Sequence, residues 1–129
     1  MKKILVFMAL AMFLASCQET LEERCAREAK EYTAKNCPAR LEDNIIMDSL
    51  AFEKSTRTLH YYYRLTGTAD KEGALDSARA RNLLKDMLRN TTSMNIYKDN
   101  EYKFAYTYHS EKDPRKLLFE VTFTKEDYK

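Results

Sequence analysis

Alternation of apolar and polar positions is the dominant pattern along the chain. From Thr58 to Thr66, Leu59, Tyr61, Tyr63 and Leu65 fall on one face and His60, Tyr62, Arg64 and Thr66 on the other. That is the period of two that a half-buried strand requires. The pattern recurs between Glu101 and His109, with Tyr102, Phe104, Tyr106 and Tyr108 aligned, and again with Leu117, Phe119, Val121 and Phe123. An earlier run, Asn44 to Glu53, alternates Ile46, Asp48, Leu50 and Phe52 against Ile45, Met47, Ser49 and Ala51. It reads as a strand that is apolar on much of both sides. The polar stretch Lys54 to Arg57 turns this strand into the next, which predicts an antiparallel hairpin.

Two segments carry a helical period instead. Leu21, Cys25, Ala29 and Tyr32 form one apolar stripe. Thr20 followed by Glu23 is a capping-box pattern that starts the helix, and Pro38 disfavours helix at the residue before it. The second helix runs from about Ala74 to Asn90, with Leu75, Ala80, Leu83, Leu84, Met87 and Leu88 on its apolar side. Met94 to Tyr97 reads as a short extended approach and Lys125 to Lys129 as a frayed tail. The order is a helix–strand–strand unit used twice. The expected fold is α+β: an antiparallel sheet of about four strands with both helices on one face. Tyr61, Tyr63, Phe104, Tyr106, Phe119 and Val121 are expected to be buried. His60, Arg64, Lys103 and Glu120 are expected to be exposed, with Tyr62 on the same outer face.

The N-terminus changes the picture. Met1-Lys2-Lys3 precedes the apolar run Ile4 to Leu14, and then Leu14-Ala15-Ser16-Cys17. A helix of eleven residues spans about 16 Å, short of the ~30 Å hydrocarbon core of a bilayer. The run therefore suits the apolar part of an export signal. Leu14-Ala15-Ser16-Cys17 resembles the lipobox of bacterial lipoproteins. That resemblance implies cleavage between Ser16 and Cys17, diacylglycerol on the Cys17 sulfur and an acylated, palmitate-bearing N-terminus. Residues 1–16 are then a signal peptide and 17–129 a single domain held to the membrane by its lipid. Gln18 stands where the familiar inner-membrane retention signal has Asp, which implies the outer membrane; a periplasmic and a surface face both remain open.

Composition excludes several classes of function. The chain has 22 Lys and Arg and 20 Asp and Glu. The leader carries two of the lysines and no acid, so residues 17–129 balance at 20 against 20. A balanced chain without a basic stripe argues against nucleic acid as a partner. Two Gly and two Pro are too few for a linker or low-complexity stalk. Cys25 and Cys37 remain after lipidation. A helix through Cys25 sets them about 18 Å apart, whereas a disulfide needs Cα atoms within about 7 Å. Either that helix starts later and the chain doubles back, or both thiols stay free, which is the favoured reading.

The search for chemistry yields little. His60 and His109 are the only histidines and lie on strand faces opposite the tyrosine rows, without the further ligands a zinc site needs. Asp48 is the one carboxylate set among apolar residues. A structural pairing with an arginine explains it as well as a catalytic role does. Neither glycine has the partner that a phosphate-binding loop requires. The expectation is a protein that is not an enzyme and has no cofactor, metal or catalytic residues. The outer row of His60, Tyr62 and Arg64 is the candidate surface for an envelope protein or glycan.

Asn36-Cys37-Pro38, Met47-Asp48-Ser49-Leu50 and Leu59 to Gly67 together resemble a pattern in small uncharacterised exported lipoproteins of Gram-negative bacteria. The paired helix-and-hairpin units are also similar in topology to PepSY and β-lactamase-inhibitor-type domains. The leading expectation is a lipid-anchored accessory or binding module of the cell envelope. The alternative is an inhibitor or regulator of an envelope enzyme. The lipobox makes a direct prediction: Cys17→Ala abolishes acylation and leaves unprocessed precursor or released protein. Metabolic labelling with a fatty-acid probe checks it, and a wild-type protein that takes up no label refutes the lipoprotein reading.

Overall fold

The computed structural model describes residues 18–129, so the expected signal peptide and the expected lipid attachment at Cys17 lie outside the described residues. Thr20 caps helix α1 (Leu21–Asn36), its hydroxyl accepting the Glu23 N–H at 3.1 Å. Cys25 and Ala29 are the buried points of its stripe. A short strand β1 (Ala39–Glu42) then turns back onto β2 (Ile45–Glu53). Its sequence, Ala-Arg-Leu-Glu, is exposed over three of four positions, so no burial pattern marks it in advance. Strand β3 (Thr58–Leu65) pairs antiparallel with β2, and a bulge at Asp48 shifts the register between Met47 and Ser49. Gly67 follows with φ of +55°, where a Cβ would meet the Asn44 side chain at 2.9 Å.

Helix α2 (Ser77–Asn90) begins at Asp76, whose carboxylate accepts the Arg79 N–H at 3.2 Å. Three residues of 3-10 helix and the short helix α3 (Asn95–Asp99) lead into β4 (Lys103–Ser110). Strand β5 (Leu117–Phe123) and helix α4 (Lys125–Tyr128) complete the chain. The sheet has five strands in the order β1-β2-β3-β4-β5, antiparallel everywhere except between β3 and β4, which are parallel.

The fold is α+β as expected, with α1 and α2 over one face, but the sheet is mixed and has five strands rather than four antiparallel ones. The parallel step has a simple cause. Helix α2 has 14 residues and is about 21 Å long, close to the ~26 Å of the eight-residue β3. A helix of matched length carries the chain back to the end where β3 began. The next strand must then run the same way, as in any crossover connection.

Two further expectations are corrected. The segment around Tyr97 is helical, because burying Tyr97 and closing a turn through Tyr102 N–H to Tyr97 O (3.1 Å) replaces an extended approach. The tail is ordered. Tyr128 is buried, and its hydroxyl donates to Tyr102 O at 2.8 Å, while Thr124 and Asp127 close a capping box. Tyr63, Phe104, Tyr106, Phe119 and Val121 are buried as expected, while Tyr61 is half-buried. Lys103 and Glu120 are exposed. Cys25 lies inside α1 and Cys37 just beyond it, and both thiols are free.

The core joins both helices to the inward faces of β3, β4 and β5, with Tyr102, Phe104 and Phe123 fully enclosed. Lys98 is buried within it and its ammonium donates to Leu88 O at 2.7 Å and Arg89 O at 3.3 Å. It thereby satisfies carbonyls at the C-terminus of α2, the end at which a cation is favoured. Lys98→Met keeps the packing stem but strands these carbonyls, so it is expected to cost about 1–3 kcal/mol. Denaturant melts check this; an unchanged midpoint refutes the capping role.

Candidate functional site

Helix α1 lies against β2: the Thr33 hydroxyl donates to Leu50 O at 2.8 Å and accepts the Leu50 N–H at 2.9 Å. Helix α2 leans the other way, toward α4, with Arg89 donating to Asp127 O at 3.0 Å and Arg81 facing the Asp127 carboxylate at 3.4 Å. Along α2 a groove opens over β3 and β4, with Leu84 and Met87 of that helix lining both of its hollows. Parallel pairing sets Tyr61 beside Tyr106 and Tyr63 beside Tyr108, so the inward tyrosines of both strands form its floor. Their rings stack, with centroids 4.8 Å apart for Tyr61 and Tyr106 and 4.7 Å for Tyr63 and Tyr108.

Two hollows make up the groove. One, of about 210 Å³, is lined by Tyr61, Tyr63, Tyr106, Met87, Thr91 and Met94. The other, of about 190 Å³, is lined by Leu41, Ile45, Tyr63, Leu83, Met87 and Tyr108. Leu83 is 61% exposed and Met87 56% exposed along the α2 wall. Both point apolar surface at the opening, where a soluble helix ordinarily places polar residues.

The polar atoms of the groove are tyrosine hydroxyls. Tyr61 donates a weak bond to Met94 Sδ at 3.9 Å. The hydroxyls of Tyr63, Tyr106 and Tyr108 have no hydrogen-bond partner among the described residues. Apolar ring bodies below and open hydroxyls above form the surface composition typical of binding sites, where a few polar groups orient a ligand over apolar walls. Burial pushes the Tyr61 and Tyr108 hydroxyls up to about 12 and raises Tyr63 and Tyr106 as well.

The outer face of the sheet holds the three residues expected as a partner surface, and the structure ties each one down. His60 and Tyr62 stack with centroids 4.1 Å apart. His60 Nδ1 lies 2.5 Å from Glu53 Oε1, and its Nε2 lies 2.6 Å from Thr107 Oγ1. Its side chain is only 14% exposed, not the open position expected, because Glu53, Tyr62 and Thr107 close over the ring. Arg64 is half-buried rather than exposed, its Nε donating to Asp48 Oδ1 at 2.7 Å while Glu111 stands at 3.6 Å. Asp48, at the bulge, is accounted for as the partner of this arginine. A shallower depression of about 500 Å³ runs between α1 and the edge of β2, lined mainly by Ala26, Ala29, Ala34, Leu50 and Phe52.

The groove was not anticipated. Alternation shows that its floor residues point inward but not how completely a helix covers them. The signal present in the sequence was the choice of tyrosine over leucine or valine at four inward positions, together with Leu83 and Met87 on the helix facing them.

The chain belongs to the family described as Domain of unknown function (DUF8479), whose profile matches residues 20–119. No curated protein matches the sequence. Solved structures with this fold include the Pseudomonas aeruginosa protein PA3611, described as secreted, with a TM-score of 0.72 at 13% identity, covering 87% of this chain and 100% of that one. The pilotin EpsS of the Vibrio vulnificus type 2 secretion system is similar with a TM-score of 0.66 at 11% identity, covering 84% of this chain and 92% of its own. The type II secretion system pilotin AspS from Vibrio cholerae is similar with a TM-score of 0.62 at 13% identity, covering 88% and 97% respectively. At these identities the likeness establishes a shared fold.

The floor tyrosines predict an alkaline transition. Their folded pKa values lie above the ordinary value near 10, so the unfolded chain loses protons first as pH rises. Stability is therefore complete below pH 10 and falls between about 10 and 12. Ultraviolet titration of tyrosinate alongside circular dichroism checks this; four floor tyrosines that ionise at 10 with the fold intact would refute their burial.

Proposed function

We propose that this member of the DUF8479 family is a lipid-anchored, non-enzymatic accessory module of the cell envelope that docks a segment of a partner protein in the tyrosine-floored groove. The observation that carries the reading is the groove itself: an apolar cleft between α2 and the sheet, open hydroxyls on its floor and exposed Leu83 and Met87 on its wall. Two hollows of about 210 and 190 Å³ match the scale of apolar anchor side chains, and buried anchors in pockets carry most of the energy of protein recognition. The lipobox supplies the address. The pilotin fold of EpsS and AspS, both parts of type 2 secretion systems, supports an envelope accessory role over a catalytic one. The partner is then an envelope protein, and the outer membrane is the compartment that Gln18 favours.

The outer-face row of His60, Tyr62 and Arg64 ranks below the groove as a docking surface. Its polar groups are engaged with Glu53, Thr107 and Asp48, and a partner would have to break those bonds. Tyr62→Ala is expected to leave partner binding intact.

The groove is tested by charge. Leu83→Asp and Met87→Asp place a carboxylate on an exposed wall, so stability should change by no more than about 0.5 kcal/mol. Cross-linking from a photoreactive residue at Thr91 should capture one envelope protein in the wild type, and the double variant should lose at least nine-tenths of that product. Undiminished cross-linking in a folded, acylated double variant refutes the groove as the docking site.

A further inference from the structure

One end of the domain lies within a few residues of the membrane anchor. Helix α1 starts at Leu21, four residues beyond Cys17. Four residues reach at most about 14 Å even when fully extended. Glu22, in the first turn of α1, faces Arg57 at 3.6 Å, and Arg57 in turn donates to Asn100 O at 2.8 Å and accepts the Lys103 N–H at 3.0 Å. The start of α1, the turn between β2 and β3, the end of α3 and the start of β4 therefore share one end of the sheet. The opposite end carries residues 67–76 and 111–116, where Lys112 N–H donates to Asp70 and Lys116 faces Glu72 at 3.5 Å. An eight-residue strand of about 26 Å separates the two ends, nearly twice the reach of the tether.

The anchored end also carries suitable side chains. Ile96 on α3 is 39% exposed. Lys54 and Lys103 are exposed and form no ion pair among the described residues. Of the acids at this end, Glu22 pairs with Arg57 and Glu101 with Lys125 and Lys129, while Glu23, Asp99 and Glu126 are exposed and form no ion pair among the described residues. Exposed lysines at the same end as an exposed aliphatic residue suit contact with phospholipid headgroups.

We propose that the acylated protein stands end-on at the bilayer, with Lys54, Ile96 and Lys103 against phospholipid headgroups and the groove leading away from the surface. The inference rests on acylation at Cys17. Thr91 and Met94 mark the membrane end of the groove and Leu41, Ile45 and Leu75 its far end, so a docked segment runs along the membrane normal.

The test uses the full acylated protein in vesicles of phosphatidylethanolamine and phosphatidylglycerol containing a headgroup nitroxide lipid. Mass spectrometry of the purified protein is read first, and a chain without acyl groups overturns both the anchor and the orientation. In a Cys37→Ser background, a fluorophore on Lys54→Cys is expected to be quenched at least threefold more strongly than one on Lys116→Cys. Equal or reversed quenching in the acylated protein overturns the orientation while leaving the anchor standing. Ten Gly and Ser residues inserted between Gln18 and Glu19 extend the tether by about 17 Å, root mean square. The difference between the two probes should then shrink by more than half. A difference that survives at full size overturns the part assigned to the short tether.

Discussion

Parallel pairing of β3 with β4 is the constraint on which the rest of the molecule depends. It sets Leu59 beside Phe104, Tyr61 beside Tyr106 and Tyr63 beside Tyr108, so two separate hairpins become one sheet with a continuous aromatic face. Helix α2 enforces that pairing by returning the chain across the sheet over nearly the length of one strand. The same crossover fixes where α2 can lie. With α1 held to β2 and α2 tied to α4, Leu84 and Leu88 of α2 pack on the inward tyrosines while Leu83 and Met87 stay exposed beside them. The groove is a product of this topology rather than of any local motif.

Polar groups hold the ends of the elements in place while the aromatic residues fill the interior. Thr33 gives the exposed edge of β2 both a donor and an acceptor at Leu50, the pair of bonds a neighbouring strand would otherwise supply. Lys98 does the same for the carbonyls that end α2, and Tyr128 for Tyr102 O and Lys98 O. Buried backbone groups left without partners are costly, so three side chains distant in sequence act as caps that make the short helices α3 and α4 part of the core.

The two faces of the sheet divide the work. The outer face closes on itself through His60, Tyr62, Thr107 and Glu53, with Arg64 locked to Asp48 across the bulge. The inner face carries the hydroxyls of Tyr63, Tyr106 and Tyr108, which have no hydrogen-bond partner among the described residues, and the exposed side chains of Leu83 and Met87. A surface whose polar groups are satisfied gains little from a new partner. A cleft whose apolar walls and hydroxyls are open gains from both burial and hydrogen bonding. This asymmetry underlies the docking role proposed for the groove.

Periodicity alone determined which residues of β3, β4 and β5 point inward, whereas Tyr32, Leu83 and Met87 on the apolar sides of the helices are exposed. The stripe of α1, its Thr20 cap, the inward tyrosines of β3 and β4 and the apolar row of β5 were all legible, because these depend on contacts within a few residues of the chain. The expectation of a lipobox rests on a linear motif, Leu14-Ala15-Ser16-Cys17, which lies outside the described residues. Tertiary structure alone decided the relative direction of β3 and β4, the fifth strand, the helical turn at Tyr97 and the docked tail. Each depends on contacts between residues far apart in sequence, such as Tyr128 with Tyr102 or Lys98 with Leu88. The groove belongs to that second class. Alternation assigns Tyr61, Tyr63, Tyr106 and Tyr108 to one face, but only the way α2 packs on that face determines whether it is sealed core or the floor of an open cleft.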